Sequence, residues 1–222
     1  METDMRLIAH RGFASINPEN TLSAIERASA VADEVEVDVR RCASGELVVI
    51  HDPTVDRVTD QSGAVSEYAR SDLESMRVLD TEEGIPTLAE LLRIVPDRVG
   101  INVELKEPGI AVDAVDLVSS LHPNSIVSSF SGEALSDCRA VDPDVPTAYI
   151  TDESGTEGVE TAVELDCEYL HLGVETCTER AVGAAHGVGM HVNAWTIDSA
   201  DEATALASTG IDGVISDRPD VL

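Results

Sequence analysis

Short apolar runs alternate with amphipathic stretches along almost the whole chain. The apolar runs are rich in Val and Ile, which is typical of buried strands, whereas the stretches between them repeat their apolar residues at helical spacing. The strands predicted in this way cover residues 6–10, 34–39, 100–105, 125–130, 146–150, 169–172, 190–195 and 213–216. The predicted helices cover residues 21–32, 87–95, 110–121, 132–140, 156–165, 178–186 and 200–208.

This alternation of strand and helix predicts the fold class. Strands joined by helical crossovers run parallel, and eight such units in a chain of 222 residues predict a closed (β/α)8 barrel, the TIM barrel. An open, doubly wound sheet is the alternative. The length suits one domain with a full core, so residues 1–222 are expected to form a single domain.

A hairpin return is predicted directly after the second strand. Residues 43–46 read Ala-Ser-Gly-Glu, a turn signal, and residues 47–51 form another apolar run. A turn centred on Ser44 and Gly45 would place Asp38 opposite His51. A shift of one residue would undo that pairing, because side chains alternate across a strand.

Residues 53–86 depart from the alternation. They contain many charged residues, and they predict at most one short helix near residues 71–76. A connection of this length is usually functional or an inserted unit. We expect it to form a cap over the rim at which the preceding strand ends.

Charge limits the partners of the protein. Its 43 acidic residues outnumber its 14 basic residues, giving a net charge of −29 spread along the chain, and Lys106 is the only lysine. Such a surface is typical of a protein adapted to strong salt, which screens self-repulsion. Nucleic acid is not an expected partner, because a phosphate backbone requires a basic footprint.

Other features bear on localisation. No apolar run reaches the length of about 20 residues that spans a membrane. Residues 1–4 are acidic and lead into a strand, so no secretory signal is expected. The four cysteines form no C-x-x-C pair, which favours reduced thiols in a cytoplasmic protein. The sequence leaves the oligomeric state open.

Three carboxylates form a candidate metal site. Glu36 and Asp38 share one face of a predicted strand, and Glu104 ends the next predicted parallel strand. An all-oxygen ligand set suits one hard divalent cation, Mg²⁺ or Ca²⁺. The alternative is a set of salt bridges with arginine. Alternation places Arg40 on the same face and Arg41 on the opposite one.

Two histidines and two cations complete the candidate chemistry. His10 and His51 each follow an apolar strand, where they could act as a general acid and a general base. Lys106 lies beside a candidate metal ligand, which suggests a task that needs an ammonium group. The guanidinium of Arg11 suits a phosphate.

The motifs together resemble the glycerophosphodiester phosphodiesterase family, in order and over nearly the whole chain. They are His10-Arg11-Gly12, Pro18-Glu19-Asn20-Thr21, Glu36-x-Asp38, His51-Asp52, Pro86-Thr87-Leu88, Glu104-Leu105-Lys106, Ser129-Phe130, Trp195-Thr196, Gly210-Ile211-Asp212-Gly213 and Asp217-Arg218-Pro219. Ser216 departs from the threonine that the family often has. Asn20 also has a second interpretation, as the N-cap of the first helix.

The resemblance implies a metal-dependent barrel enzyme that hydrolyses glycerophosphodiesters to an alcohol and glycerol phosphate. It also implies a role for each matching residue. The implied roles are acid and base for His10 and His51, metal binding for Glu36, Asp38 and Glu104, phosphate binding for Arg11 and Lys106, a place close to the site for Glu19, and a glycerol pocket shaped by Phe130 and Trp195.

Other functions remain open at this point. A phosphodiesterase of the same design could act on another lipid-derived diester, as a lysophospholipase D or a phosphoinositide enzyme. A metal-dependent barrel aldolase or isomerase would also place carboxylates at the rim, but it has no use for two histidines beside a phosphate site. A non-catalytic phosphoester-binding barrel is the alternative from a different class.

Overall fold

Residues 5–222, the part of the chain that this computed structural model describes, contain nine strands and eight α-helices. The strands are β1 (Arg6–His10), β2 (Glu34–Arg41), β3 (Leu47–Val49), β4 (Gly100–Leu105), β5 (Ser125–Ser129), β6 (Thr147–Thr151), β7 (Tyr169–Gly173), β8 (His191–Ile197) and β9 (Gly213–Ser216). The helices are α1 (Leu22–Ala28), α2 (Arg70–Ser75), α3 (Leu88–Ile94), α4 (Ala111–Leu121), α5 (Gly132–Val141), α6 (Gly155–Glu164), α7 (Glu179–Gly187) and α8 (Ala200–Ala207). Residues 1–4, to which the expectation about a secretory signal refers, lie outside the described residues.

The parallel strands close into a barrel. The sheet order is β1-β9-β8-β7-β6-β5-β4-β2-β3, and β1 also pairs with β2, which closes the ring of eight parallel strands and leaves β3 as an antiparallel strand beside β2. The predicted (β/α)8 TIM barrel is therefore confirmed, and the open sheet is wrong. Most predicted boundaries fall within two residues of the observed ones. The first helix is the exception, since it ends at Ala28 rather than residue 32, and Arg98 donates to the carbonyl of Ser29 beyond it (3.1 Å).

The side chains of β2 show how the barrel separates core from site. Val35, Val37 and Val39 alternate with the acidic residues and join the hydrophobic core that also contains residues of the surrounding helices. Glu36 and Asp38 consequently point into the barrel, where both are buried. Inward-facing charge near the carboxyl ends of barrel strands is where TIM-barrel enzymes place their chemistry.

The hairpin formed by β2 and β3 has a different register from the predicted one. Val39 pairs with Val49, and the amide of Ile50 donates to the carbonyl of Asp38 (2.9 Å), so Asp38 lies opposite Ile50 and not His51. The prediction was wrong by one residue. The connection is a three-residue loop that ends on Gly45 with a φ of +103°, instead of a two-residue turn.

Residues 53–86 contain one α-helix, α2, close to the predicted position, and a short 3-10 helix at Val65–Glu67. Apolar side chains of this segment form a second, smaller hydrophobic cluster with the β2–β3 hairpin, including Val48, Ile50, Val55, Val58 and Leu73. The segment is thus anchored by a core of its own. Its role as a cap, and the division of the chain into domains, remain predictions.

Two further expectations concern the described residues alone. None of the helices in residues 5–222 has both the length and the apolar composition to cross a bilayer. The four cysteines are buried and unpaired. A cytoplasmic location stays a prediction.

Candidate active site

A tight turn after β1 places the first functional groups at the mouth of the barrel. Arg11, Gly12 and Phe13 all have positive φ values, of 50°, 79° and 66°. A Cβ atom on Gly12 would lie 3.0 Å from the backbone and from the Cβ of Ala24 in α1, so the turn needs glycine there. The turn also brings the amide of Arg11 within 3.1 Å of a carboxylate oxygen of Glu36.

The three predicted metal ligands meet at one point. The parallel register of β2 and β4 pairs Asp38 with Glu104 directly. One oxygen each of Glu36, Asp38 and Glu104 lies within 4.8 Å of the others, and all three residues are buried. A single cation at about 2.3–2.6 Å from each oxygen is compatible with that separation.

Burial and mutual repulsion shape the ionisation of this cluster. Burial, together with the neighbouring Asp38, raises the pKa of Glu36 to about 8. Burial and Asp38 likewise raise the pKa of Glu104. Burial also opposes the charge on Asp38, but Lys106 and Arg11 outweigh it, so the pKa of Asp38 is lowered. Three buried carboxylates at this spacing need compensating positive charge to be ionised together.

Part of that charge comes from the protein. The Nε of Arg11 lies 3.0 Å from one oxygen of Asp38, and the Nζ of Lys106 lies 3.0 Å from the other. Lys106 also bonds to Glu104. The alternative of salt bridges with arginine is thus met in part by Arg11, whereas Arg40, on the face that alternation predicts, pairs with Glu107 (3.5 Å). Arg40 also donates to the carbonyl of His51 (2.8 Å).

The donor set fits a divalent cation. The Oε1 atom of Glu36 is buried and has no hydrogen-bond partner among the described residues. An orphaned carboxylate oxygen inside a protein is costly unless a cation or donor satisfies it. Three oxygen donors and no sulfur or nitrogen ligand favour a hard ion such as Mg²⁺ or Ca²⁺.

The two histidines line the same cavity, and an aspartate holds each of them. The Nδ1 of His10 lies 2.6 Å from Asp217, and the Nδ1 of His51 lies 2.6 Å from Asp52. Ionised aspartates can only accept, so each Nδ1 carries the proton of this hydrogen bond and each Nε2 is left outside it. The Nε2 of His10 is 3.9 Å from Glu36.

The surroundings shift the pKa values of the histidines in opposite directions. Burial disfavours the charged form of His10, but the hydrogen bond to Asp217 and the charge of Glu36 outweigh it and raise the pKa. Burial lowers the pKa of His51 and, together with Arg11 and Lys106, outweighs the charge of Asp38 and the hydrogen bond to Asp52, which raise it. Environments that separate two pKa values in this way favour an acid role for one group and a base role for the other.

A cavity of about 140 Å³ connects these groups. Phe130 and Trp195 form one side of it, with ring centroids 5.5 Å apart in an edge-to-face arrangement. Of the predicted site residues, the structure brings eight around the cavity: His10, Arg11, Glu36, His51, Glu104, Lys106, Phe130 and Trp195. Asp38 and Glu19 lie behind it, and Glu19 pairs with Arg11 at 3.3 Å.

Several polar partners at the site were missed from the sequence. Asp52 and Asp217 stand in the recognised motifs, but nothing local indicates that they hold histidines. Asn20 donates to Asp38 (3.0 Å), whereas Thr21 caps α1, so the N-cap interpretation of Asn20 is wrong. Asn102, on the cavity floor, is buried and has unpartnered amide atoms. Its inward direction follows from its place two residues before Glu104.

Comparison with known proteins gives a consistent match. The model of the glycerophosphoryl diester phosphodiesterase family matches residues 10–221. The glycerophosphodiester phosphodiesterase of Caldanaerobacter subterraneus subsp. tengcongensis is 30% identical, over 97% of this chain and 95% of its own.

Solved structures agree in fold. A phosphodiesterase of Oleispira antarctica, in complex with the product sn-glycerol-3-phosphate, matches with a TM-score of 0.90 and 29% identity, covering 96% of this chain and 93% of that one. The glycerophosphodiester phosphodiesterase of Thermotoga maritima matches with a TM-score of 0.84 and 29% identity, covering 98% and 96%. The shared barrel therefore extends over nearly the full length of this chain and of each of the two relatives.

Proposed function

This chain belongs to the glycerophosphoryl diester phosphodiesterase family, and from that premise we propose that it cleaves glycerophosphodiesters by metal-dependent acid–base chemistry at the mouth of its barrel. It is a glycerophosphodiester phosphodiesterase. The proposal concerns the metal, the two histidines and the residues that hold the substrate. The observation that carries it is the meeting of three buried carboxylates and two aspartate-held histidines at one cavity.

Glu36, Asp38 and Glu104 would hold one divalent cation, Mg²⁺ or Ca²⁺. Their spacing within 4.8 Å and the unpartnered oxygen of Glu36 support this assignment. The cation would act as a Lewis acid that stabilises negative charge on the phosphoryl oxygens.

His51 and His10 would transfer the protons. His51, with its lowered pKa, accepts a proton from the nucleophile at Nε2. His10, with its raised pKa, donates a proton to the oxygen of the leaving alcohol as the P–O bond breaks. The nucleophile is either water, which gives glycerol phosphate directly, or a glycerol hydroxyl, which gives a cyclic phosphate that water then opens.

Arg11 and Lys106 would bind the nonbridging phosphate oxygens. Both line the cavity and lie 3.0 Å from Asp38 behind it, so their positive charge is held in place before the substrate arrives. In a chain with a net charge of −29, local positive potential is what admits an anionic diester. Glu19 would fix Arg11 from behind.

Phe130 and Trp195 would shape the glycerol pocket. Their edge-to-face contact forms an apolar wall beside the charged groups, and Lys106 lies 6.0 Å from the ring centroid of Phe130. The sn-glycerol-3-phosphate complex of the Oleispira relative supports glycerol phosphate as the product. Small ligands commonly bind where apolar walls meet a few convergent polar groups.

Metal removal tests the proposal. In buffer of high salt, the protein should release glycerol phosphate from glycerophosphocholine and from glycerophosphoethanolamine, with the phosphorus product identified by ³¹P NMR. EDTA should abolish turnover, and added Mg²⁺ or Ca²⁺ should restore it. A Glu36→Gln variant should need a higher metal concentration for half-maximal activity. Turnover that is unaffected by chelation would contradict the metal assignment.

A further inference from the structure

One arginine of segment 53–86 bonds to two carboxylates at the edge of the site. The Nη1 and Nη2 atoms of Arg57 contact the two oxygens of Glu19, at 2.6 and 2.9 Å. Its Nε donates to Asp52 at 2.6 Å. A single guanidinium thus satisfies two acids that come from different loops of the barrel.

Each of these acids uses its other contacts to hold a group of the proposed machinery. Asp52 accepts from Nδ1 of His51 (2.6 Å) with the oxygen that Arg57 does not contact. Glu19 accepts from Arg11 (3.3 Å). Arg57 is therefore connected to His51, the proposed base, through Asp52. It is connected to Arg11, which would bind phosphate, through Glu19.

We propose that Arg57 is a positioning residue: it locks Asp52 and Glu19 in place, and through them it orients His51 and Arg11 for the reaction. The inference rests on the proposed function for the meaning of those two groups. It assigns segment 53–86 a part in catalysis through a side chain that lies outside the cavity.

The electrostatics support this role. The hydrogen bond from Arg57 is the largest cause that lowers the pKa of Asp52 to about 2, so Asp52 is an obligate acceptor. Burial opposes the charge on Glu19, but Arg57 and Arg11 outweigh it and lower its pKa. An ionised Asp52 fixes the proton of His51 on Nδ1 and leaves Nε2 bare.

The position of Arg57 is itself set by packing. Its neighbours Val55 and Val58 are almost fully buried in the second hydrophobic cluster. The Arg57 side chain is 46% exposed, and exposed ion pairs contribute little to stability. Substitution of Arg57 should therefore change the geometry of the site more than it changes the stability of the fold.

Arg57→Ala tests the inference, with Arg77→Ala as the matched control. Arg77 lies in the same segment and is 59% exposed, and within residues 5–222 its side chain bonds to Glu82 and to no residue of the site. Arg57→Ala should lower kcat/KM for glycerophosphocholine by about 10- to 100-fold. Arg77→Ala should stay within about twofold, because surface substitutions away from special features have small effects.

Two further variants separate positioning from general loss of structure. Added guanidinium, at concentrations that do not denature the protein, should partly restore the activity of Arg57→Ala. Arg57→Lys should be intermediate, since an ammonium keeps the charge without the fork that spans two carboxylates. In a His51→Ala background, removal of Arg57 should cost less in kcat than it does in the wild type, because one of the two groups that it orients is already absent. A cost that adds in full would overturn the role through His51.

Proton NMR of the resting protein provides a test that does not depend on turnover. The low-field Nδ1 proton of His51 should shift or broaden in Arg57→Ala, whereas that of His10, held by Asp217, should not change. A His51 signal identical to the wild type would overturn the inference. If the signal changes but His51→Ala retains full turnover, Arg57 still positions His51, and the acid–base role of His51 is what fails.

Discussion

At the scale of single residues, His10 and His51 are each held by an aspartate but differ in their surroundings. Each donates Nδ1 to an aspartate at 2.6 Å. Burial opposes the charge of both histidines, but Asp217 and the buried Glu36 outweigh it at His10, whereas it prevails at His51, so their pKa values move in opposite directions. The difference gives each histidine a distinct expected role.

A change of leaving group should distinguish these roles. On glycerophosphocholine, His10→Ala and His51→Ala should each lose about 10²- to 10⁴-fold in kcat, the usual contribution of general acid–base catalysis. On the p-nitrophenyl diester of glycerol phosphate, the departing phenolate needs no proton, so the loss in His10→Ala should shrink while that in His51→Ala persists. Steady-state kinetics on both substrates, at saturating metal, make the comparison. Equal losses on the two diesters would contradict the assignment.

A third histidine predicts how stability depends on pH. His171, on β7, is fully buried, and burial lowers its pKa to about 3, with Arg6 contributing. The unfolded chain takes up this proton near pH 6.5, whereas the folded chain does not. Stability is therefore fully present above pH 6.5 and falls as the pH drops toward 3, by about 1.4 kcal/mol per unit from this group.

Urea unfolding of the wild type and of His171→Asn measures this contribution. Between pH 7.5 and pH 5.0, the wild type should lose about 2 kcal/mol more of its unfolding free energy than the variant does. Carboxylates that titrate in the same range are common to both proteins and cancel in the difference. Parallel curves would show that His171 is protonated in the folded state.

At the scale of elements, the connections decide where the site residues lie. The β1–α1 turn carries Gly12 at a φ of 79°, packed against α1. The β2–β3 loop carries Gly45 at a φ of 103°, and a Cβ atom added there would have no neighbouring atom within 4 Å. Both turns need positive φ. Only the first also needs the space that a side chain would fill.

The two glycines therefore form a matched pair. Gly45→Ala should cost about 1–2 kcal/mol through the backbone alone. Gly12→Ala should cost about 1–3 kcal/mol more, because α1 must move to admit the Cβ, and it should lower activity because Arg11 is adjacent. Denaturant unfolding and a kcat/KM assay check both variants. Equal destabilisation would mean that the contact with Ala24 relaxes freely.

At the scale of the whole molecule, charge is the dominant feature. A net charge of −29 on 222 residues opposes compaction, and salt shortens the Debye length from about 10 Å at 0.1 M to about 3 Å at 1 M. We therefore expect a salt-adapted protein, in agreement with its near-absence of lysine.

Thermal unfolding at increasing KCl tests this expectation. The midpoint should rise between about 0.1 M and 1 M salt, by about 2–4 °C for each kcal/mol of repulsion that is screened in a chain of this size. A midpoint that is flat or falls across this range would contradict salt adaptation.

The order and type of the elements, the closed barrel and the members of the carboxylate cluster were determined by the sequence alone. Those features depend on local periodicity and on strand alternation, which each segment carries within itself. Asp38 and Glu104 meet because they are paired in the parallel register of β2 and β4 and both side chains point into the barrel.

The tertiary structure alone decided which side chains contact one another at the site. The hairpin closes through a three-residue loop with Gly45 at a φ of 103°, and its register places Asp38 opposite Ile50 and not His51. Asp217 reaches His10 across 207 positions of sequence only because closure of the barrel places the loop after β9 beside the end of β1. Arg57 reaches Glu19 and Asp52 only once its segment has packed. Contacts between distant segments depend on how the whole chain packs, and no local pattern specifies them.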